Sequence, residues 1–335
     1  MCESSGVDVA VIGLGLMGGS LLQALAAAGH RVTGFDADPD TRGAARAAGF
    51  AVADSARQAA GGAELVAVAV PLPVLPAVLD ELAGHPGLIT DVTSVKGPVR
   101  AMAGKHGVRR FVGGHPMAGK ETSGFSAADP RLFEGCIWVL CLEPHGADFY
   151  PEAHGAHLAD WLTLAALYTE IGARVVPVTA AEHDRAVAEV SHVPHLLAAA
   201  LALQLADNPL AGALAAGSFR DGTRVAATRA ELIAAMCGGN AVEVGHALDK
   251  VIGDLSRLRD LLDAPDPIGA LTPVLAGAGN LRRAWPPKPA GEPAELPAEV
   301  EALLELGRAG GWVTAVAEDR LSVSGMRTET DRNRS

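Results

Sequence analysis

The chain has 335 residues, 49% of them apolar and only 4% aromatic, so it is long enough for two domains whose cores are built from Ala, Val and Leu. That composition argues against a disordered chain or a coiled coil and suits packed helices over a parallel sheet. A net charge of −12 with no dense Lys/Arg cluster leaves nucleic acid and anionic membranes without an electrostatic partner.

Residues 7–12 read as a short buried strand that turns through glycines into a helix starting at Leu16 and closed by Gly29. A second strand (RVTGFDA), a helix over 39–48, the strand ELVAVAV, a Pro-bounded helix (PVLPAVLDELAG) and the strand GLITDVTS follow. This alternation predicts βαβ units in a parallel sheet. RRFVGGHP, CIWVLCLE, a helix near 156–171 and ARVVPV are expected to extend that sheet. From Thr179 the period changes, and a capping box of Thr179 and Glu182 opens one long helix with a kink expected at Pro194. The spacing thus predicts three regions: a dinucleotide-binding Rossmann-like domain over 1–178, an all-helical substrate and dimerisation domain over 179–264, and a carboxyl-terminal extension over 265–335. Within the extension, 264–297 reads as Pro/Gly-rich loop, then a helix at 298–309, a hairpin (GWVTAVAEDRLSVS), and a polar tail from Gly325 expected to be disordered.

Cys2, Cys136, Cys141 and Cys237 lack zinc spacing and read as reduced thiols. The amino terminus carries no basic leader, and no apolar run approaches the roughly 18–20 residues of a membrane span. The expectation is a cytoplasmic protein without a metal. His192 and His195 lie three apart on one helix face, but no third ligand of matching type is near in sequence.

The first turn, GLGLMGG, supplies Gly13, Gly15 and Gly18 as G-x-G-x-x-G between strand and helix. The first glycine makes the turn, the second admits a pyrophosphate, and the third lets helix pack on strand. Asp36 ends the second strand, where a carboxylate accepts hydrogen bonds from ribose hydroxyls and repels a 2′-phosphate, so NAD is favoured over NADP. Arg42 nearby could soften that preference. Leu14, Leu16 and Met17 in the turn, with Val70 and Pro71 after the ELVAVAV strand, complete the expected cofactor contacts.

His115 sits in GGHPMAG, at the end of a strand on the side where open α/β sheets bind ligands. GLGLMGGS, DVTSVKG, GGHPMAGKETSG, EHDRAVAEVSHVPHLLA and SFRDGTRVAA, in this order over about residues 7–260, resemble the prephenate and arogenate dehydrogenases of tyrosine biosynthesis, with an actinobacterial look to the extra carboxyl-terminal segment. The resemblance implies that His115 is the catalytic histidine taking the proton of the substrate's ring hydroxyl, and that Ser94 contacts that hydroxyl and orients the histidine. It implies that Arg224 binds a substrate carboxylate, that His195 and Ser191 line the substrate pocket, where tyrosine can act as an inhibitor, and that Glu121 and Asp221 gate it. It also implies a homodimer, with the active site in a cleft between the two domains.

His183 reads as structural. Gly222 and Ile233 depart from the family pattern, which carries bulkier residues there, and residues 264–335 resemble no regulatory domain. Arogenate dehydrogenase is the close alternative activity. A β-hydroxyacid dehydrogenase would want a lysine where this helix offers His192 and His195, and a dinucleotide sensor would not need Ser94, His115 and Arg224 together.

Overall fold

The computed structural model describes residues 6–119, 122–144 and 158–329. They divide into two compact units, one running up to His183 and including Gly291–Arg327, the other comprising Asp184–Ala290 with residues 328–329.

The first unit opens with β1 (Asp8–Ile12), α1 (Leu16–Ala27), β2 (Arg31–Phe35), α2 (Pro39–Ala47), β3 (Ala51–Val52), α3 (Ala56–Ala60), β4 (Leu65–Val68), α4 (Leu75–Glu81), β5 (Leu88–Asp91), α5 (Gly97–Lys105) and β6 (Phe111–Val112). Its six strands are all parallel, in the order β3-β2-β1-β4-β5-β6. β4 and β5 are buried at every residue, as strands covered on both faces must be, so they read as unbroken apolar runs. Asp38 caps α2 by accepting the Asp40 and Thr41 amides, and Pro39 follows at the position where a missing N–H costs nothing.

The strands after β6 do not extend this sheet, contrary to expectation. β7 (Gly114–Pro116), β8 (Ile137–Cys141), β9 (Arg174–Val178), β10 (Ala294–Pro297), β11 (Trp312–Val316) and β12 (Ser322–Met326) form a second sheet in the order β10-β12-β11-β9-β8-β7. Pairing is antiparallel except between β8 and β9, which the helix α6 (Leu158–Glu170) connects. Gly113 alone separates the last strand of one sheet from the edge strand of the other. Both sheets and α6 contribute to one apolar core that includes Val9, Leu21, Trp138, Trp161, Leu303 and Val313.

Residues 291–327 of the carboxyl-terminal extension are therefore part of the first unit. Helix α14 (Val300–Arg308) packs on β9 so closely that a Cβ on Gly307 would sit 1.8 Å from the Pro177 carbonyl. Gly325, expected to begin a disordered tail, pairs with Ala294 and Val313. Edge pairing of short strands leaves no periodic signature in sequence, which is why this return was not legible. Residues 330–335 of that tail lie outside the described residues.

The second unit is helical. α7 (Ala180–Val187) begins at the boundary, and α8 (Val193–Ala202), α9 (Pro209–Leu214), α10 (Gly217–Thr223), α11 (Ala230–Gly239), α12 (Ala241–Leu262) and α13 (Pro267–Ala284) follow. The expected long helix is broken by a π turn over Ala188–His192, directly before Pro194. A proline ring clashes with the carbonyl four residues back and brings no N–H, and widening that turn relieves both. By length and composition the run Ala180–Leu205 would suffice to cross a membrane, a correction to the sequence reading. It is two helices joined at the π turn, and it buries His183, Asp184 and His192. α13 lies where loop was expected: Gly269, Pro273, Gly277 and Gly279 weaken its pattern, while Asp266 accepts the Gly269 amide at 3.0 Å as a cap. The core of this unit is small, centred on Ala188, Val193, Val244 and Ala247. Leu203, Leu210, Leu214, Ile268 and Leu281 are 69–80% exposed.

The capping box forms as expected. The Thr179 hydroxyl accepts the Glu182 amide at 3.1 Å, and the Glu182 carboxylate accepts the Thr179 amide at 2.9 Å. Arg308 of α14 donates to the other Glu182 oxygen at 2.7 Å. Burial pushes the Glu182 carboxyl up, but the bonds from Thr179 and Arg308 outweigh it and leave it below its ordinary 4.5. A carboxyl lowered in the fold stabilises above its ordinary value, and that contribution is lost as pH falls through the lowered one. Thr179→Ala is expected to cost about 1 kcal/mol, read from the urea midpoint. The stability gap between the native chain and Glu182→Gln is expected to be widest at neutral pH and to close below about pH 4.

Candidate active site

The carboxyl ends of the parallel strands carry the glycine loop after β1, Asp36 after β2, Val70 and Pro71 after β4, Ser94 after β5 and His115 after β6. Five separate stretches thus reach one edge, the edge where open parallel sheets bind ligands. In the loop, Gly13 has φ +93°, and a Cβ there would lie 2.5 Å from the Ala69 carbonyl. A Cβ on Gly18 would lie 1.8 Å from the Gly13 carbonyl, whereas one on Gly15 would meet nothing within 4 Å. Two glycines are thus needed by the protein, and the third leaves open space at the start of α1, followed in the first turn by Leu16 and Met17 with no acidic residue. A helix start of this kind receives anions. The residues present fit a dinucleotide.

Asp36 accepts the Leu14 amide at 2.7 Å and the Asp38 amide at 2.9 Å, which sets its carboxylate beside the loop. Arg42 Nη1 donates to the Asp36 and Ala37 carbonyls at 2.7 and 3.0 Å, and its guanidinium lies over Phe35. That cation is engaged by the protein itself.

Behind His115 lies a buried charge pair that the sequence reading passed over. Lys96 and Asp91 are each 1% exposed. The Lys96 ammonium donates to Asp91 Oδ2, to the Gly114 carbonyl at 2.6 Å and to the Thr93 hydroxyl at 3.2 Å. Asp91 Oδ1 accepts the Gly114 amide at 3.1 Å, and Oδ2 also accepts the Thr93 amide at 3.0 Å. Both backbone groups of Gly114 are thereby held by the pair. The approach requires glycine, since a Cβ on Gly114 would sit 2.7 Å from the Asp91 carbonyl. Ser94, half-buried, belongs to the same turn between Thr93 and Lys96. His115 Nδ1 lies 2.8 Å from Nε2 of His183, in the first turn of α7.

In the helical unit, His195 on α8 donates from Nδ1 to the Val225 carbonyl at 3.3 Å. Val225 lies in a 3-10 turn, Arg224–Ala227, whose first residue carries an exposed guanidinium. Ser191 is half-buried in the π turn, and Asp221 is exposed on α10, 4.0 Å from Arg220. The structure thus brings His195 beside the Arg224 turn. His192 is buried with Nδ1 3.3 Å from the Asn240 amide nitrogen, so the two helix histidines have different protein partners. A Cβ on Gly222 would meet only Leu201, at 3.7 Å. Glu121 lies outside the described residues. Burial pushes the Cys136 thiol up to about 11, which keeps it unreactive.

The prephenate dehydrogenase nucleotide-binding domain model matches residues 21–148, and the prephenate dehydrogenase dimerization domain model matches residues 179–268. Prephenate dehydrogenase of Bacillus subtilis is 32% identical over 272 residues, 77% of this chain and 71% of that one. The chain belongs to the prephenate dehydrogenase family. The enzyme of that name from Lactococcus lactis is 33% identical over 65% of this chain, and the match spans 60% of the Lactococcus protein's length. A crystal structure of a candidate prephenate dehydrogenase from Corynebacterium glutamicum superposes with a TM-score of 0.75 at 34% identity, covering 84% of this chain and 88% of that one.

Against this family background, the sequence reading located the loop, Asp36, Ser94 and His115 on one edge. It did not pair Asp91 with Lys96, and it did not place His183 beside His115. The signals were present: DVTSVKG puts an acid and a base at the mouth of one strand, and His183 directly follows the capping-box glutamate.

Gly15→Ala is expected to fold with an unchanged melting temperature and to lose dinucleotide affinity by tenfold or more, on the order of 1.4 kcal/mol, while Gly18→Ala is expected to unfold; fluorescence titration and thermal melts distinguish them. Lys96→Met is expected to cost about 3–5 kcal/mol by leaving a buried carboxylate unpaired. Asp91→Asn combined with Lys96→Met is expected to cost less than the single change, as read by chemical denaturation.

Proposed function

We propose that the chain oxidatively decarboxylates prephenate to 4-hydroxyphenylpyruvate with NAD, a step of tyrosine biosynthesis. The observation that carries this is His115, held by its backbone at the carboxyl edge of a nucleotide-binding sheet in a member of this family. NAD, when bound, accepts hydride from ring C4. His115 takes the C4 hydroxyl proton as the carbonyl forms, a task suited to a neutral imidazole. Ser94, from the turn that grips Gly114, contacts the same hydroxyl. Arg224 binds a substrate carboxylate through its planar fork, and His195 and Ser191 line the substrate pocket, where tyrosine acts as an inhibitor. Asp221 and Glu121 gate that pocket. Loss of carbon dioxide aromatises the ring, so no metal is needed for the driving force.

Asp36 selects NAD over NADP, because its carboxylate repels a 2′-phosphate and Arg42 is already committed to backbone carbonyls. The exposed leucines of the helical unit and the dimerization-domain match support a homodimer. The reading places the enzyme in the cytoplasm, with its substrate and NAD.

Formation of NADH with NAD and prephenate, with release of carbon dioxide, is the expected outcome. His115→Asn is expected to lower kcat by about 10²–10⁴ with NAD binding kept. Turnover only with arogenate would move the substrate assignment to the amino analogue. Oxidation of a hydroxyacid without carbon dioxide would replace the reading altogether.

A further inference from the structure

The amino ends of the parallel strands, on the edge opposite His115, frame a cavity of about 500 Å³. Val7 just before β1, Leu65 and Leu88 at the starts of β4 and β5, and Pro86 give it an apolar lining. Every lining residue belongs to the first unit. That volume is ordinary for a small-molecule site. Glu64, Arg110, Thr163 and Arg320 supply its charged and hydroxyl groups.

Two arginines of this unit grip carboxylates through one edge of the guanidinium. Arg31 holds Asp8 from Nε and Nη2 at 2.5 and 2.7 Å, and Arg110 holds Asp160 from the same two nitrogens at 3.2 and 2.5 Å. Arg320 is held differently. Its Nη1 donates to the Thr163 hydroxyl at 2.8 Å, and Thr163 donates onward to the Ala159 carbonyl at 2.8 Å. Among the described residues, the Nε and Nη2 edge of Arg320 is uncommitted. The Glu64 carboxylate accepts the Asp8 amide at 3.3 Å, and among the described residues it forms no ion pair with Arg320. The backbone points the same way. Arg320 stands at φ +60° in the turn between β11 and β12, a left-handed conformation that glycine takes without steric cost. An arginine kept there strains the turn, so it is the side chain that accounts for the residue.

We propose that this cavity binds a zwitterionic amino acid with an apolar side chain. The ligand carboxylate takes the Nε and Nη2 edge of Arg320, whose planar fork matches it. The ligand ammonium faces Glu64, and the side chain lies against Val7 and Pro86. Arg110 adds no net charge, since Asp160 neutralises it, and Arg31, near Glu64, is likewise held by Asp8. A cation and an anion in one cavity, each without an ion-pair partner among the described residues, select a zwitterion over a plain carboxylate or a plain amine. Thr163 and Arg320 lie outside the residues that either family model matches, and the site is independent of the role given to His115.

Calorimetric titration of the full chain with L-leucine is the test, beside its two half-ligands, 4-methylpentanoate and 3-methylbutylamine. L-Leucine is expected to bind, and each half-ligand to bind weaker by about tenfold or more. No binding of L-leucine, or equal affinity for 4-methylpentanoate, would overturn the proposal. Arg320→Gly is expected to melt at the native temperature or above, because the turn is relieved, yet to lose L-leucine affinity by about tenfold or more. Glu64→Gln is expected to lose affinity to a similar extent. Arg224→Ala, in the second unit, is expected to bind L-leucine as the native chain does. Native affinity in Arg320→Gly, or loss of binding in Arg224→Ala alone, would sink the assignment. Should Arg320→Gly not fold, Glu64→Gln decides, and unchanged affinity there rejects the site.

Discussion

The arrangement of the first unit depends on one ion pair, Lys96 with Asp91, because the chain passes from one sheet to the other at the point where that pair closes on Gly114. Taking an ammonium and a carboxylate out of water is costly unless every donor and lone pair finds a partner. Here the ammonium makes three bonds and the carboxylate oxygens share four. A pair satisfied in this way tolerates little displacement. It converts a flexible glycine pair into a fixed junction, and the next residue, His115, inherits that precision.

The close approaches around the edge follow the same logic. Gly13, Gly18 and Gly114 are small because carbonyls lie where their Cβ atoms would be. At Gly15 a Cβ would meet nothing within 4 Å. The same residue type thus serves packing in three positions and leaves open space in the fourth, and only the distances tell them apart.

The helical unit is built on other terms. Its core is slight and its leucines face outward, so apolar burial within one chain stabilises it less than the first unit. It places His195 and Arg224 on adjacent turns through a single carbonyl contact at Val225, and the π turn before Pro194 sets the phase of α8 relative to α7.

The sequence alone determined what local rules encode. These are the buried parallel strands, the G-x-G-x-x-G turn with Asp36, the capping box at Thr179, and His115 as the residue to question. Each depends on periodicity, backbone conformational freedom or a side chain bonding to its near neighbours, and all of these operate within a few residues. Only the tertiary structure decided that β7–β12 form a separate sheet completed by residues after 290, that Lys96 reaches across to Gly114, and that His183 meets His115. Those outcomes depend on pairings between distant segments, from 18 residues apart for Lys96 and Gly114 to 138 for Val175 and Val313, whose partners no local pattern specifies.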